Sequence, residues 1–491
     1  MTATISFSRR LSDLAQRQPD APAITFAPLE GPETTLGFAA LDAWVEALAQ
    51  FLTARGARPG RLVVFSLPNG PLHFALALAV WRCGACSLPL SPRAPQAEFE
   101  ATVALLDTPI VIADRSGATV SPSALPGPGA PHGPRLPDVI AHPGKAIGSG
   151  GSTGRPKIIV DPAPWARVPG ALGLLETNGI RPGQVQLVAG PLYHNSPFSW
   201  AHLGLFEGHR LILMERFDAA RAVDLIERHR IQFGFMAPTM MARIANLDGI
   251  DGRDLGSIES ILQTAAACPG WLKRRWIDLI GPDAVIEAYG SSEGAGFTLI
   301  TGRDWLEHPG SVGRATGCAL RILGEDGQDL PTGEVGEVYM RPACHPIPTY
   351  RYIGAEPTKT TPDGFVSVGD LGHVDAEGWL YLADRRTDLI ITGGANVYPA
   401  EVEAALTAQP GVADAVVIGL PDPDWGKRVH AIVEPAAGTA LDSKALTDAL
   451  RETLAPYKLP KTIEFLPMLP RDESGKIRRA ALAAERSEAV S

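Results

Sequence analysis

A chain of 491 residues with 54 Asp and Glu against 44 Lys and Arg carries a formal charge of -10, which excludes the broad basic surface that nucleic acids or anionic membranes require. Its 45% hydrophobic and 20% charged residues are those of a globular protein, and its length is too great for one hydrophobic core. Five scattered cysteines exclude a disulfide framework and predict a reducing, cytoplasmic setting.

The first twenty residues carry Arg9 and Arg10 with no apolar run behind them, so they predict an amphipathic helix rather than a secretion signal. Helical spacing recurs over 41–55, 71–81 and 219–229, alternating with β-branched runs at 62–66 and 110–113. That alternation predicts parallel sheets covered by helices. The longest apolar run, 74–80, falls far short of the roughly 20 residues a membrane span needs. Cys83 and Cys86 have half the spacing of a zinc or redox site, but no second Cys or His pair accompanies them, and they read as a buried helix end. Residues 121–144, rich in Pro and Gly, predict a surface connection. Beyond Gly310, short runs at 319–323, 336–341, 365–368 and 379–383 predict a small β-rich unit. A compact tail with helices over 400–409 and 443–454 and a strand over 413–419 follows a boundary near 384–387.

Five segments carry chemistry. Ser149-Gly150-Gly151-Ser152-Thr153-Gly154-Arg155-Pro156-Lys157 packs glycines, hydroxyls and cations between apolar runs, a composition suited to wrapping a phosphate chain. Its alternative is a flexible linker, and Pro156 with no Gly-Lys-Ser/Thr ending excludes a Walker A loop. Tyr289-Gly290-Ser291-Ser292-Glu293-Gly294 follows a strand expected at 284–287, and its carboxylate can hold Mg²⁺. Both glycine segments match the G-x-S-x-G nucleophile elbow, but that elbow enters a helix, whereas 297–300 and 158–160 read as strands. Gly369-Asp370, Arg385 with Asp388, and Gly475-Lys476 read singly as a turn, a charged loop and a basic tail.

In this order the five segments resemble the adenylate-forming enzymes: acyl-CoA synthetases, nonribosomal adenylation domains and luciferases. The pattern is most similar to acyl- and aryl-CoA synthetases, and it covers essentially the whole chain. The resemblance implies an α/β fold: a large N-terminal domain of two wound β-sheets with helices plus a small β-barrel, over 1–384, and a small mobile α+β C-terminal domain over 388–491. Residues 385–387, with Thr387, would be the hinge. It further implies ATP, Mg²⁺ and coenzyme A. Ser149, Gly151, Ser152, Thr153, Gly154 and Lys157 would hold the phosphates, Tyr289, Gly290 and Ser292 the adenine side, Asp370 and Arg385 the ribose, and Glu293 the metal. Lys476 would be the adenylation lysine, and Gly393 and Gly394 would line the path of pantetheine, where a bare backbone permits close approach.

Four positions depart from the family pattern. Gly150 stands where a Ser or Thr is usual, Asp384 where a Gly is, Val368 where a Thr is, and Thr387 where the hinge usually carries Asp or Lys. Pro191-Leu192-Tyr193-His194 resembles the segment whose His borders the acid pocket, with Asn195, Ala266 and Gly294 beside it. No Asp stands there to pair an ammonium, which argues against an amino acid. The small residues at 265–267 and 294–296 imply room for a bulky apolar acid, whether aromatic, polycyclic or fatty, unless packing alone requires them. With no carrier segment after Ser491, coenzyme A is the expected acceptor and a carrier protein in trans the alternative. A catalytically inactive nucleotide sensor would be expected to lack Glu293 or Lys476, and both are present.

Overall fold

The structure, a computed structural model, describes residues 3–150, 156–343, 349–385, 388–393, 395–472 and 475–488. A six-stranded sheet runs in the order Arg351–Ile353, Pro156–Asp161, Lys145–Gly150, Cys86–Pro89, Leu62–Ser66, Ile110–Ala113. Beside it lies a 13-stranded sheet whose central strands, Val285–Gly290, Ser260–Gln263, Phe233–Met236, Val185–Val188, Arg210–Met214 and Pro22–Ala27, are parallel neighbours in that order.

The apolar run at 74–80 belongs to helix Pro71–Arg82, which is buried continuously from His73 to Arg82. A helix that is apolar on every side must be enclosed, and this one packs with Val63 and Phe65 of one sheet and Leu211 and Leu213 of the other. Its last residue, Arg82, is neutralised by Asp42 at 2.6 Å and Glu46 at 3.1 Å. Cys83 caps the helix and Cys86 opens the next strand; burial pushes their thiols up to about 11 and about 12, which suits inert packing. Among the described residues no helix is long and apolar enough to cross a membrane.

The short strands beyond Gly310 are continuous with the large sheet, joined where Leu380–Arg385 pairs with Ser311–Thr316. Two segments read as loops differ. Gly369-Asp370 lies inside strand Val366–Val374, and Asp384-Arg385 ends strand Leu380–Arg385; the two strands pair antiparallel, with Asp370 opposite Arg385. Ladder partners impose the strand there despite the Gly and Asp, residues that local propensity sends to turns. Phe297–Thr301 and Pro156–Asp161 are strands, so neither glycine segment enters a helix as a hydrolase elbow does.

From Ile390 onward the chain forms a five-stranded sheet with its own cores, one around Val402, Val417, Ala431 and Leu450, another around Val416, Ile432, Leu469 and Leu482.

Candidate active site

Because the central strands of the large sheet run the same way, their carboxyl ends share one edge, the place where open α/β sheets bind ligands. There the chain delivers Gly190 to His194 after Val185–Val188, Ala237 to Thr239 after Phe233–Met236, Ala265 to Ala267 after Ser260–Gln263, and Ser291 to Gly294 after Val285–Gly290. Residues far apart in sequence meet there through strand direction alone.

Across the cleft stands the hairpin Lys145–Gly150 and Pro156–Asp161, with Ser149 opposite Lys157. Its tip, with Gly151, Ser152, Thr153 and Gly154, lies outside the described residues. Lys157 Nζ donates to Tyr352 Oη at 3.0 Å, lies 4.2 Å above that ring, and is 3.6 Å from Glu293 Oε1. Tyr352 Oη in turn donates to Glu293 Oε1 at 2.5 Å, and Thr349 Oγ1 donates to the Glu293 carbonyl at 2.6 Å. Burial first, and the Glu293 charge next, hold the Tyr352 phenol well above the ordinary tyrosine range, so it stays protonated and donating. Tyr352 was missed from sequence. Its strand, Arg351–Ile353, is three residues long, and only pairing with Pro156–Asp161 brings it to the site.

Glu293 sits in the turn after Val285–Gly290; Gly294 closes that turn at φ +67, a left-handed conformation that favours glycine. Tyr289, on the strand before it, donates its hydroxyl to Asp370 Oδ2 at 2.5 Å. The exposed Ser292 and Gly290 flank the same turn. The structure thus gathers Lys157, Glu293, Tyr289, Asp370 and the Arg385 backbone in one region.

His194 is the N-cap of helix Asn195–Phe206 and makes no side-chain capping bond. Asn195, expected on the acid-pocket wall, is half-buried, and its Oδ1 accepts from Lys145 Nζ at 2.8 Å and from Ser199 Oγ at 3.4 Å. Lys145 is half-buried, and burial pushes it below the ordinary lysine range although Asp161 Oδ2 lies 3.9 Å away; it also donates to Ser199 Oγ at 3.1 Å. A cation partly shielded from water gains from such acceptors. Ala266 lies exposed on its loop, its carbonyl accepting from Gln263 Nε2 at 3.0 Å. Near the carboxyl end of Val185–Val188, Gly190, Pro197, Trp200 and Phe235 pack together with no space among them large enough for a water molecule.

The Lys476 loop reaches this edge from the C-terminal unit. The Lys476 amide donates to Asp472 Oδ1 at 2.9 Å, and the Asp472 amide donates to the Lys476 carbonyl at 2.8 Å. Gly475 abuts Thr239 so closely that a Cβ on it would lie 2.5 Å from Thr239 Oγ1. Gly393 sits elsewhere, in the C-terminal sheet, donating its amide to the Trp425 carbonyl at 2.9 Å beneath that indole. Gly394 and Thr387 lie outside the described residues.

Among the described residues no three His, Cys, Asp or Glu cluster as a ready-made ion cage. Glu293 as a lone carboxylate nonetheless fits Mg²⁺, which is commonly held by one or two carboxylates plus substrate phosphates.

The family model described as AMP-binding enzyme matches residues 11–139 and 147–346, and that of the AMP-binding enzyme C-terminal domain matches 401–476. A feruloyl-CoA synthase of Amycolatopsis sp is 33% identical over 464 residues, covering 90% of this chain and 92% of its own. An indoleacetate–CoA ligase of Aromatoleum aromaticum is 30% identical, covering 91% and 92%. Among solved structures, ATP-bound MatB from Rhodopseudomonas palustris superposes with TM-score 0.81 at 27% identity over 100% of both chains, against 0.71 for its apo form. Matched over most of its length by the family's models and over nine-tenths by CoA ligases, the chain belongs to the AMP-binding enzymes of the adenylate-forming superfamily and is an AMP-forming acid–thiol ligase.

Proposed function

We propose that this ligase converts a flat aromatic carboxylic acid to its acyl-adenylate with release of pyrophosphate, then passes the acyl group to coenzyme A. The observation that carries the reading is the meeting of Lys157, Tyr352 and Glu293 across the cleft between the two sheets.

In the first step a carboxylate oxygen attacks the α-phosphorus of ATP, and the bond from that phosphorus to the β-bridging oxygen breaks. Two anions must approach, so positive charge has to be in place beforehand. Lys157 offers it to the departing phosphates and Lys476 to the carboxylate and α-phosphate. Tyr352 bonds both Lys157 and Glu293, which pair with each other at 3.6 Å, and so fixes their geometry. Glu293 would hold Mg²⁺, which when bound supplies further charge stabilisation. Tyr289 flanks adenine, Asp370 takes the ribose hydroxyls with Arg385 opposite it on the ladder, and His194 borders the acid.

In the second step the thiol sulfur attacks the acyl carbon, the carbon–oxygen bond to AMP breaks, and the thiol proton leaves to solvent. The C-terminal unit, 388–491, turns about 385–387 for this step, bringing Gly393 and Gly394 to the cleft in place of Lys476. Its separate cores, built only from residues 390 onward, support movement as a rigid body.

The relatives named for feruloyl-CoA and indoleacetate support an aromatic acid over a polycyclic or long-chain one. The test is acid-dependent pyrophosphate release, with hydroxylamine trapping of the adenylate, over arylalkenoic, arylacetic, polycyclic and long-chain acids. ADP and phosphate as products would sink the adenylation reading; preference for a long-chain acid would sink the aromatic reading alone.

A further inference from the structure

We infer that Thr239 and Glu98 are the seat on which the Lys476 loop docks for adenylation, one contributed by each of the two N-terminal sheets' flanking helices. The inference rests on the reading of Lys476 as the adenylation lysine.

The described residues of the loop, Arg471, Asp472, Gly475 and Lys476, are bonded to one another. Its turn is closed by the reciprocal Asp472–Lys476 bonds, and Arg471 braces it, with Nη1 donating to the Gly475 carbonyl at 3.0 Å. Arg471 is itself held on Asp414 of the C-terminal sheet at 2.5 and 2.8 Å. Gly475 therefore projects as a rigid knuckle. It takes φ +81, and it is buried although it lies in a loop.

What buries it belongs to the other unit. A Cβ on Gly475 would meet Thr239 Oγ1 at 2.5 Å and Cγ2 at 2.9 Å. Thr239 cannot readily yield, because it opens helix Pro238–Ala245 immediately after a buried strand end. Pro238 fixes the first turn, and the Met241 carbonyl accepts from Trp276 Nε1 at 3.1 Å. On the far side of Lys476, Arg478 Nη2 lies 3.4 Å from Glu98 Oε2 in the first turn of helix Gln96–Val103. That helix packs on strand Pro156–Asp161 of the six-stranded sheet.

The exposed Lys476 thus stands in the chain between the two contacts, one toward each sheet. The Thr239 contact sets depth by steric fit. The Arg478–Glu98 pair is exposed and weak, so it guides register rather than supplying affinity.

Thr239→Met should lift the knuckle and cut acid-dependent pyrophosphate release about 100-fold, the cost of an ångström-scale misplacement. Supplied acyl-adenylate should still give CoA thioester at close to the parent rate. Glu98→Arg should lower adenylation by about two- to fivefold at low salt, with Glu98→Arg/Arg478→Glu restoring it. Lys476→Ala is assayed beside them. If it loses adenylation while Thr239→Met and the charge variants do not, the seat is wrong and the lysine reading stands. If Lys476→Ala adenylates normally, the lysine reading falls first. Equal loss of both half-reactions in Thr239→Met, with circular dichroism unchanged, or failure of the charge swap to restore the rate, overturns the seat.

Discussion

Tyr352 Oη donates to Glu293 Oε1 at 2.5 Å while accepting from Lys157 Nζ at 3.0 Å, so one phenol bonds both members of an ion pair that stand 3.6 Å apart. Tyr352→Phe keeps the ring and removes both bonds. Hydrogen bonds to charged groups are worth about 1.5–3 kcal/mol, so KM for MgATP should rise about tenfold or more. Initial rates against MgATP at saturating acid measure it; an unchanged KM would show that Lys157 and Glu293 do not depend on the phenol for their placement.

Glu293→Gln keeps the acceptor oxygen for Tyr352 and deletes the charge that would hold Mg²⁺. The loss of turnover should be on the order of 10²- to 10³-fold, as for losing one preorganised electrostatic element. A Mg²⁺ titration of pyrophosphate release, with folding followed by circular dichroism, checks it. Full activity in a folded variant would dismiss Glu293 as a ligand.

Lys476→Ala should cost on the order of 10²- to 10³-fold in adenylate formation, yet leave thioester formation from supplied adenylate. Thr387→Pro should do the reverse, because a fixed φ at the pivot restrains rotation. Pyrophosphate release beside thioester yield separates the two; thioester formation that persists in Thr387→Pro moves the pivot elsewhere.

Beside strand Val285–Gly290, Lys273 Nζ donates to Glu287 Oε2 with both side chains almost wholly buried, at 3% and 6% exposed. Lys273→Met leaves the Glu287 carboxylate unpaired and should cost about 3–5 kcal/mol, because an uncompensated buried charge cannot be solvated. Lys273→Met/Glu287→Leu should recover most of it. Thermal melting of the three proteins decides; a single variant as stable as the parent would place the pair in water.

His73 and His202 are enclosed among Phe65, Phe74, Trp81 and Phe198, and burial pushes both down to about 3. From the ordinary value of about 6.5 downward, the unfolded chain binds protons there that the folded chain refuses. Stability is therefore fullest above about pH 6.5 and falls as pH drops, by about 1.4 kcal/mol per unit for each ring. His202→Leu should flatten the dependence of the urea midpoint between about pH 6.5 and 4.5; an unchanged slope assigns acid sensitivity to other groups.

Local pattern determined much of this protein by itself. Leu62–Ser66, Ile110–Ala113 and Ala219–His229 lie at the bounds their periodicity predicts, because side-chain spacing reports which face is buried. The ordered motifs with Lys157, Glu293, Asp370 and Lys476 were likewise legible, since each is contiguous and its chemistry depends on residue type. Tyr352, Thr239 and Glu98 were not legible, because each owes its role to a partner far along the chain that only strand direction and unit docking bring near. Asn195 shows the same limit in reverse. It sits beside His194 in sequence, but its bond to Lys145, 50 positions earlier, exists only because the tertiary structure brings that strand and helix together.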